Sequence, residues 1–149
     1  MDSRLLMTVE LALGAPQKVG PVSHGTRVVV PVASGRFEGP RLRGRVLPGG
    51  VDSTLLRSDG VLELDARMTL ETDDGALVHL AYRGLRHGPP EVIAALGRGE
   101  PVDPGAYYFR STARLDTGHA KYAFLNRLLA IAVGERRSEG PAYAVHEIL

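Results

Sequence analysis

Apolar and polar positions alternate along most of this chain. Leu5, Met7, Val9, Leu11 and Leu13 oppose Leu6, Thr8, Glu10 and Ala12, the period-2 pattern of a strand with one strongly apolar face. Leu62, Leu64, Ala66, Met68 and Leu70 oppose Glu63, Asp65, Arg67, Thr69 and Glu71 in the same way, and Tyr107, Phe109, Ser111, Ala113 and Leu115 oppose Tyr108, Arg110, Thr112 and Arg114. Residues 26–32 carry Val28-Val29-Val30, apolar on both sides, as in a strand covered on both faces. Asp59-Gly60 predicts a two-residue hairpin turn between 53–58 and 61–72, and Asp73-Asp74-Gly75 a second hairpin into 76–84. Residues 128–134 and 143–149 complete about nine strands. The breaks between them fall at Gly14-Ala15-Pro16, the loop through Gly20-Pro21 and His24-Gly25, and Ser34-Gly35. Two stretches read as helix instead. Residues 90–96 begin on a proline and stop at Gly97, and 118–126 have room for a turn or two.

Between Gly39-Pro40 and Pro48-Gly49-Gly50, Leu42, Gly44 and Val46 alternate with Arg41, Arg43 and Arg45. A glycine inside a strand marks a bulge, a bend or the close approach of another backbone, so Gly44 predicts a sharply curved strand of the kind that closes barrels. The arginine row reads first as a solvated ion-pair row and second as an anion-binding wall. So many short antiparallel strands with so little helix must bury their apolar faces against one another. The expected fold is therefore all-β: one domain, residues 1–149, forming a closed antiparallel β-barrel of about eight to ten strands with one or two short helical segments.

Composition changes this picture mainly by exclusion. A chain of 149 residues with 44% hydrophobic and 23% charged content buries a proper core without disulfides, and a net charge of +1 gives no global pull toward nucleic acid or acidic membranes. No Trp and only 5% aromatics make a base-stacking platform improbable. Zero cysteine excludes thiolate metal sites and cysteine catalysis and fits a reducing compartment. With no secretory leader and no apolar run of membrane-spanning length, the expected location is the cytoplasm. The five histidines form no metal-ligand spacing, the glycine-rich stretch lacks the Gly-Lys-Ser/Thr ending of a phosphate loop, and no Gly-x-Ser-x-Gly element is present. No metal and no cofactor are expected.

Residues 35–52, Asp73-Asp74-Gly75-Ala76, Tyr107-Tyr108-Phe109-Arg110 and Tyr122-Ala123-Phe124-Leu125-Asn126 follow one another in an order and spacing that resembles the domain-of-unknown-function family 3237, also called uncharacterised protein family 0311. The resemblance covers about residues 9–147 and implies a single-domain antiparallel barrel, often oligomeric, with no agreed activity. The chain departs from the family pattern at Ser53 and Phe124, each in place of Trp, and at Leu115-Asp116 in place of Phe-Glu. Smaller side chains at those positions would reshape a pocket if they line the lumen.

The remaining candidate chemistry is polar and lies near strand ends. Asp52, Tyr108, Arg110 and Asp116 are the candidate catalytic residues, offering a carboxylate base, a phenolic acid and a guanidinium for an oxyanion. Arg57, Asp65, Tyr82 and Phe124 are the candidate substrate-binding residues. Each has a plainer role open to it: a turn-capping Asp, a half-buried packing Tyr, or a surface ion pair. Tyr108, Arg110 and Asp116 share one strand face, which places the expected site where Asp52 meets the 116–118 turn, with 119–126 as a lid and a cavity of a few hundred cubic ångströms walled by Tyr108 or Arg110. The function this suggests is cofactor-independent acid–base isomerisation, cyclisation or dehydration of a hydrophobic, polyketide- or terpenoid-like small molecule. The alternative is a non-catalytic carrier barrel. Apolar strands at both chain ends lead us to expect a homodimer.

Overall fold

The structure, a computed structural model, describes Met1–Leu149. Ten antiparallel strands run β1 (Ser3–Leu13), β2 (Gln17–Val22), β3 (Gly25–Glu38), β4 (Arg43–Val46), β5 (Gly50–Leu56), β6 (Leu62–Thr72), β7 (Leu77–His87), β8 (Tyr108–Asp116), β9 (Ala130–Arg137) and β10 (Gly140–Ile148). Helix α1 (Pro90–Gly97) and a short 3₁₀ turn at Pro104–Ala106 lie between β7 and β8, and a 3₁₀ helix at Ala120–Arg127 lies between β8 and β9. No helix is long and apolar enough to cross a membrane.

The sheet closes because β1 pairs on both edges: Ser3 to Glu10 run beside Ile148 to Ala142 of β10, and Thr8 to Leu13 run beside Glu38 to Val32 of β3. Strands β4 and β5 lie end to end along the other edge of β3, and β2 continues β1 along the first edge. The result is a closed eight-stranded antiparallel barrel with two extra strands, as the alternation predicts.

Three expectations are corrected. Residues 17–22, read as loop, form β2, and β3 runs through Ser34-Gly35 without turning, because those residues pair with Ala12 and Leu11 of β1. The Asp59-Gly60 hairpin turn is one residue longer than the two-residue turn expected, since Arg57 N–H donates to Val61 O at 2.9 Å; the second, closed by Thr72 N–H to Ala76 O at 2.9 Å, has the three residues Asp73-Asp74-Gly75. Each loop of three ends in a left-handed glycine, Gly60 or Gly75, in the three-residue hairpin pattern. Third, the terminal strands are not free edges, since β1 and β10 pair with each other and each has a second neighbour, leaving β2 as the strand paired on one side only. The terminal strands therefore offer no free edge for a partner strand.

The close approach expected at Gly44 is present: a Cβ there would fall 2.0 Å from Glu71 O. Its neighbours Arg43 and Arg45 point outward to Asp73 and Glu71 at 3.0 and 2.9 Å, so the arginine row is an ion-pair row. The core fills the barrel with Met7, Val9, Val32, Met68, Leu70, Val78, Leu80 and Phe109. One end is plugged by the 3₁₀ helix at Ala120–Arg127 through Tyr122 and Leu125. At the other, Val92, Ile93 and Leu96 of α1 and Val102 pack against the core.

Candidate functional site

Alternation decides which side chains enter the barrel. On β8, Phe109, Ser111, Ala113 and Leu115 are buried, so Tyr108, Arg110 and Asp116 share the opposite, outer face. Tyr108 is 45% exposed and stacks on His87 at 4.9 Å; Arg110 lies over Tyr108 at 5.3 Å and donates to Phe109 O at 2.9 Å. Asp116 is exposed, 3.7 Å from His79. These three share one face, on the outside of the wall, but they do not form the expected unit: Tyr108 and Arg110 stand beside His87 at one end of β8 and Asp116 beside His79 at the other, so the site position expected from them is overturned. A cleft of about 580 Å³ does exist, between residues 99–104 and the β9–β10 turn, with Leu96, Glu135, Arg136 and Arg137 in its wall. Neither Tyr108 nor Arg110 lines it.

The candidate binding residues also separate. Arg57 pairs with Asp59 and, at 3.7 Å, with Glu63, all at the surface of the β5–β6 turn. Asp65 faces outward to Arg83 at 3.3 Å. Phe124 belongs to the plug, beneath the Arg41 guanidinium at 4.2 Å. Arg41 and Arg4 both donate to the buried Glu147. Of the positions that depart from the family pattern, Leu115 is buried inside the barrel and Phe124 packs on the core from the plug, while Ser53 stands outside, beside Asp52 in the inner position.

Two candidates do enter the barrel, Asp52 and Tyr82, and they meet residues that sequence reasoning did not single out. Asp52 of β5 stands opposite Val30 and Ala66, and Ala66 stands opposite Tyr82 of β7. The Asp52 carboxyl is 7% exposed, and its Oδ1 accepts the amide of Asp65 at 3.1 Å where the β5–β6 pairing skips Ser53 and Thr54. Burial pushes this carboxyl up to about 6, against the lowering effects of that amide and of Arg86. The Tyr82 hydroxyl lies 3.2 Å from that of Tyr143 on β10, with the rings tilted at 5.2 Å. Burial raises both phenols above their ordinary range, so both stay protonated at neutral pH. Phe109 meets Tyr143 edge-on at 5.4 Å, and the Arg86 guanidinium of β7 lies 5.9 Å from the Phe109 ring. Arg86 is partly buried and stands at the rim of the interior group that it forms with Asp52, Tyr82 and Tyr143.

The sequence held a signal for the two missed members. Val78, Leu80, Tyr82, Gly84 and Arg86 occupy one face of β7, and an arginine continuing an apolar face is unusual. Tyr143 alternates with Val145 and Glu147 on the buried face of β10. Chemically the group offers one carboxyl poised near neutrality, two phenolic donors and one cation, with no activated nucleophile among them.

Comparison with known proteins agrees with the fold. The DUF3237 model, described as protein of unknown function, matches residues 2–148. A UPF0311 protein of Rhodopseudomonas palustris is 35% identical over 149 residues, spanning 100% of this chain and 97% of the relative. The crystal structure of the conserved protein of unknown function from Rhodopseudomonas palustris superposes with a TM-score of 0.95 at 35% identity, covering 99% of this chain and 97% of that one. A protein described as an enzyme from Penicillium herquei superposes with a TM-score of 0.74 over 99% of this chain and 94% of its own, at 18% identity, a likeness of fold alone.

Proposed function

Because the chain belongs to DUF3237, a family of proteins of unknown function, the assignment rests on the site itself, and we propose that the protein is a cofactor-independent enzyme that moves a proton on a hydrophobic small molecule, in an isomerisation, cyclisation or dehydration. The observation that carries the reading is the buried Asp52 carboxyl, held near 6 by its apolar surroundings, in one interior with the paired hydroxyls of Tyr82 and Tyr143. A carboxyl with that affinity is ionised at neutral pH yet binds a proton readily, the condition for general base and then general acid catalysis. Asp52 Oδ1 is engaged by the Asp65 amide, which fixes the side chain and leaves Oδ2 for substrate. The neutral phenols donate hydrogen bonds to the oxygen on which charge develops, in a setting that excludes water. Helix α1 and residues 99–104 cap this end of the barrel, so entry requires them to move.

A second reading, a carrier that only holds such a molecule, is favoured by the close apolar packing around Asp52. Deuterium exchange at the acidic C–H of a hydrophobic ketone, 2-tetralone first, separates the two. The enzyme reading expects the protein to accelerate exchange, Asp52→Asn to lower the rate by roughly 10²-fold or more with affinity kept, and Tyr108→Phe to change neither. A bound ketone whose exchange rate is the same with Asp52→Asn as with the unaltered protein leaves the carrier.

A further inference from the structure

Resting on that reading and naming its substrate class, we infer that the interior takes an apolar molecule bearing a resonance-stabilised oxyanion, a carboxylate or a phenolate, held between Arg86 Nε and Ser111 Oγ. These two atoms are buried and have no hydrogen-bond partner. Orphaned buried donors cost roughly 1–3 kcal/mol each, so a pair of them in one place marks a seat for a missing acceptor. They are neighbours on the inner face: Gly84 stands opposite Ser111 and Arg86 opposite Phe109, which makes Arg86 and Ser111 diagonal partners across β7 and β8, roughly 7–8 Å apart at the backbone.

The charge around them is unbalanced in the matching sense. Arg86 takes part in none of the chain's ion pairs, and it is more buried than the exposed arginines 36, 43, 45, 83 and 98 that do. Burial, and after it the cation Arg136, lower Arg86 from its ordinary range, with Asp52 a weaker opposing influence. Arg136 in turn places its backbone N–H on the buried Tyr107 hydroxyl at 2.8 Å, holding a second guanidinium at the same rim. An anion between them satisfies the open donors and offsets the repulsion. The walls select its body: the faces of Phe109, Tyr143 and Tyr82 are apolar rings, which suit an aromatic or aliphatic acid better than a strongly hydrated phosphate dianion.

The test follows the Arg86 Nε–H resonance by ¹⁵N NMR while benzoate, ionised 4-nitrophenol, benzamide and inorganic phosphate are each titrated into the whole protein. The expected result is a saturable shift with benzoate or 4-nitrophenolate, none with benzamide, and at least about tenfold weaker binding in Arg86→Gln and Ser111→Ala. Both variants remove an orphaned donor, so both fold and neither lowers Tm; a fall in Tm for both would assign these side chains a structural role and overturn the inference. A response to benzamide equal to that of benzoate, a preference for phosphate, or no saturable response to any probe also overturns it. Because no turnover is read, the same titration in Asp52→Asn separates the two proposals. Benzoate binding retained there, with no ketone exchange in the unaltered protein, leaves an anion site in a carrier; exchange without anion preference leaves an enzyme for neutral substrates.

Discussion

At the scale of single residues, Asp52 sets function against stability. Its folded affinity for protons, near 6, lies above the unfolded value of 3.8, so the fold favours the protonated form and loses stability as pH rises through the interval between the two. Above that interval the cost is on the order of 3 kcal/mol, from about two pH units at 1.36 kcal/mol each. Asp52→Asn keeps an acceptor for the Asp65 amide and removes the charge. Thermal unfolding at pH 7.5 and at pH 4 should show a higher Tm for the variant only at the higher pH, and a gain of equal size at both would refute the account. The proposed activity should fall as pH drops below about 6, where Asp52 becomes protonated. Outside the barrel, Tyr108→Phe removes a hydroxyl from a half-exposed ring and should shift stability by no more than about 0.5 kcal/mol in a denaturant titration.

Among the elements, the 3₁₀ helix at Ala120–Arg127 closes one end by two means. Leu125 is fully buried, and Asp74 at the β6–β7 turn accepts from Lys121 Nζ, Thr72 Oγ1 and Tyr122 Oη at 2.8, 2.6 and 2.8 Å. Leu125→Ala leaves a cavity and should cost about 2–5 kcal/mol in urea unfolding. Those three donors, Lys121 foremost, hold the Asp74 carboxyl below its ordinary range, so its contribution is present above pH 4 and is lost as pH falls further. Hydrogen exchange of residues 119–126 should therefore quicken in Asp74→Asn at neutral pH, and in the unaltered protein only in acid. The same scale shows why part of the molecule was legible in its sequence. Strands covered on one face, such as β6 and β8, announce themselves by alternation. Strand β2 did not, because Gly20 and Pro21 interrupt it, and a strand with one unpaired edge tolerates both. The site was half legible for a related reason. Alternation put Tyr108, Arg110 and Asp116 on one face, yet period-2 says neither that the two ends of a nine-residue strand come together nor which face looks inward; the buried Phe109 and Leu115 beside them decide the latter. Arg86 and Tyr143 become functional candidates only when closure brings β7 and β10 to opposite sides of one interior.

For the whole molecule, closure rests on the two chain ends. The pairing of β1 with β10 joins residues about as far apart in sequence as the chain allows, and the amide of Leu149 donates to Asp2 O at 3.0 Å. Contacts of such separation carry the largest loop-closure cost and form late, so truncation of residues 143–149 should leave a chain that does not fold cooperatively, as judged by loss of a sharp thermal transition. The touching ends have a further consequence for how the molecule can be cut. Where termini are adjacent, the order in which the staves are synthesised is not what the barrel requires; only their neighbours around the ring matter. A circular permutant with the old ends joined by a short Gly-Ser linker and new ends opened at the exposed Asp59-Gly60 turn should fold to the same barrel, and would convert the long-range β1–β10 seam into a hairpin while leaving Asp52, Tyr82, Arg86 and Tyr143 where they are.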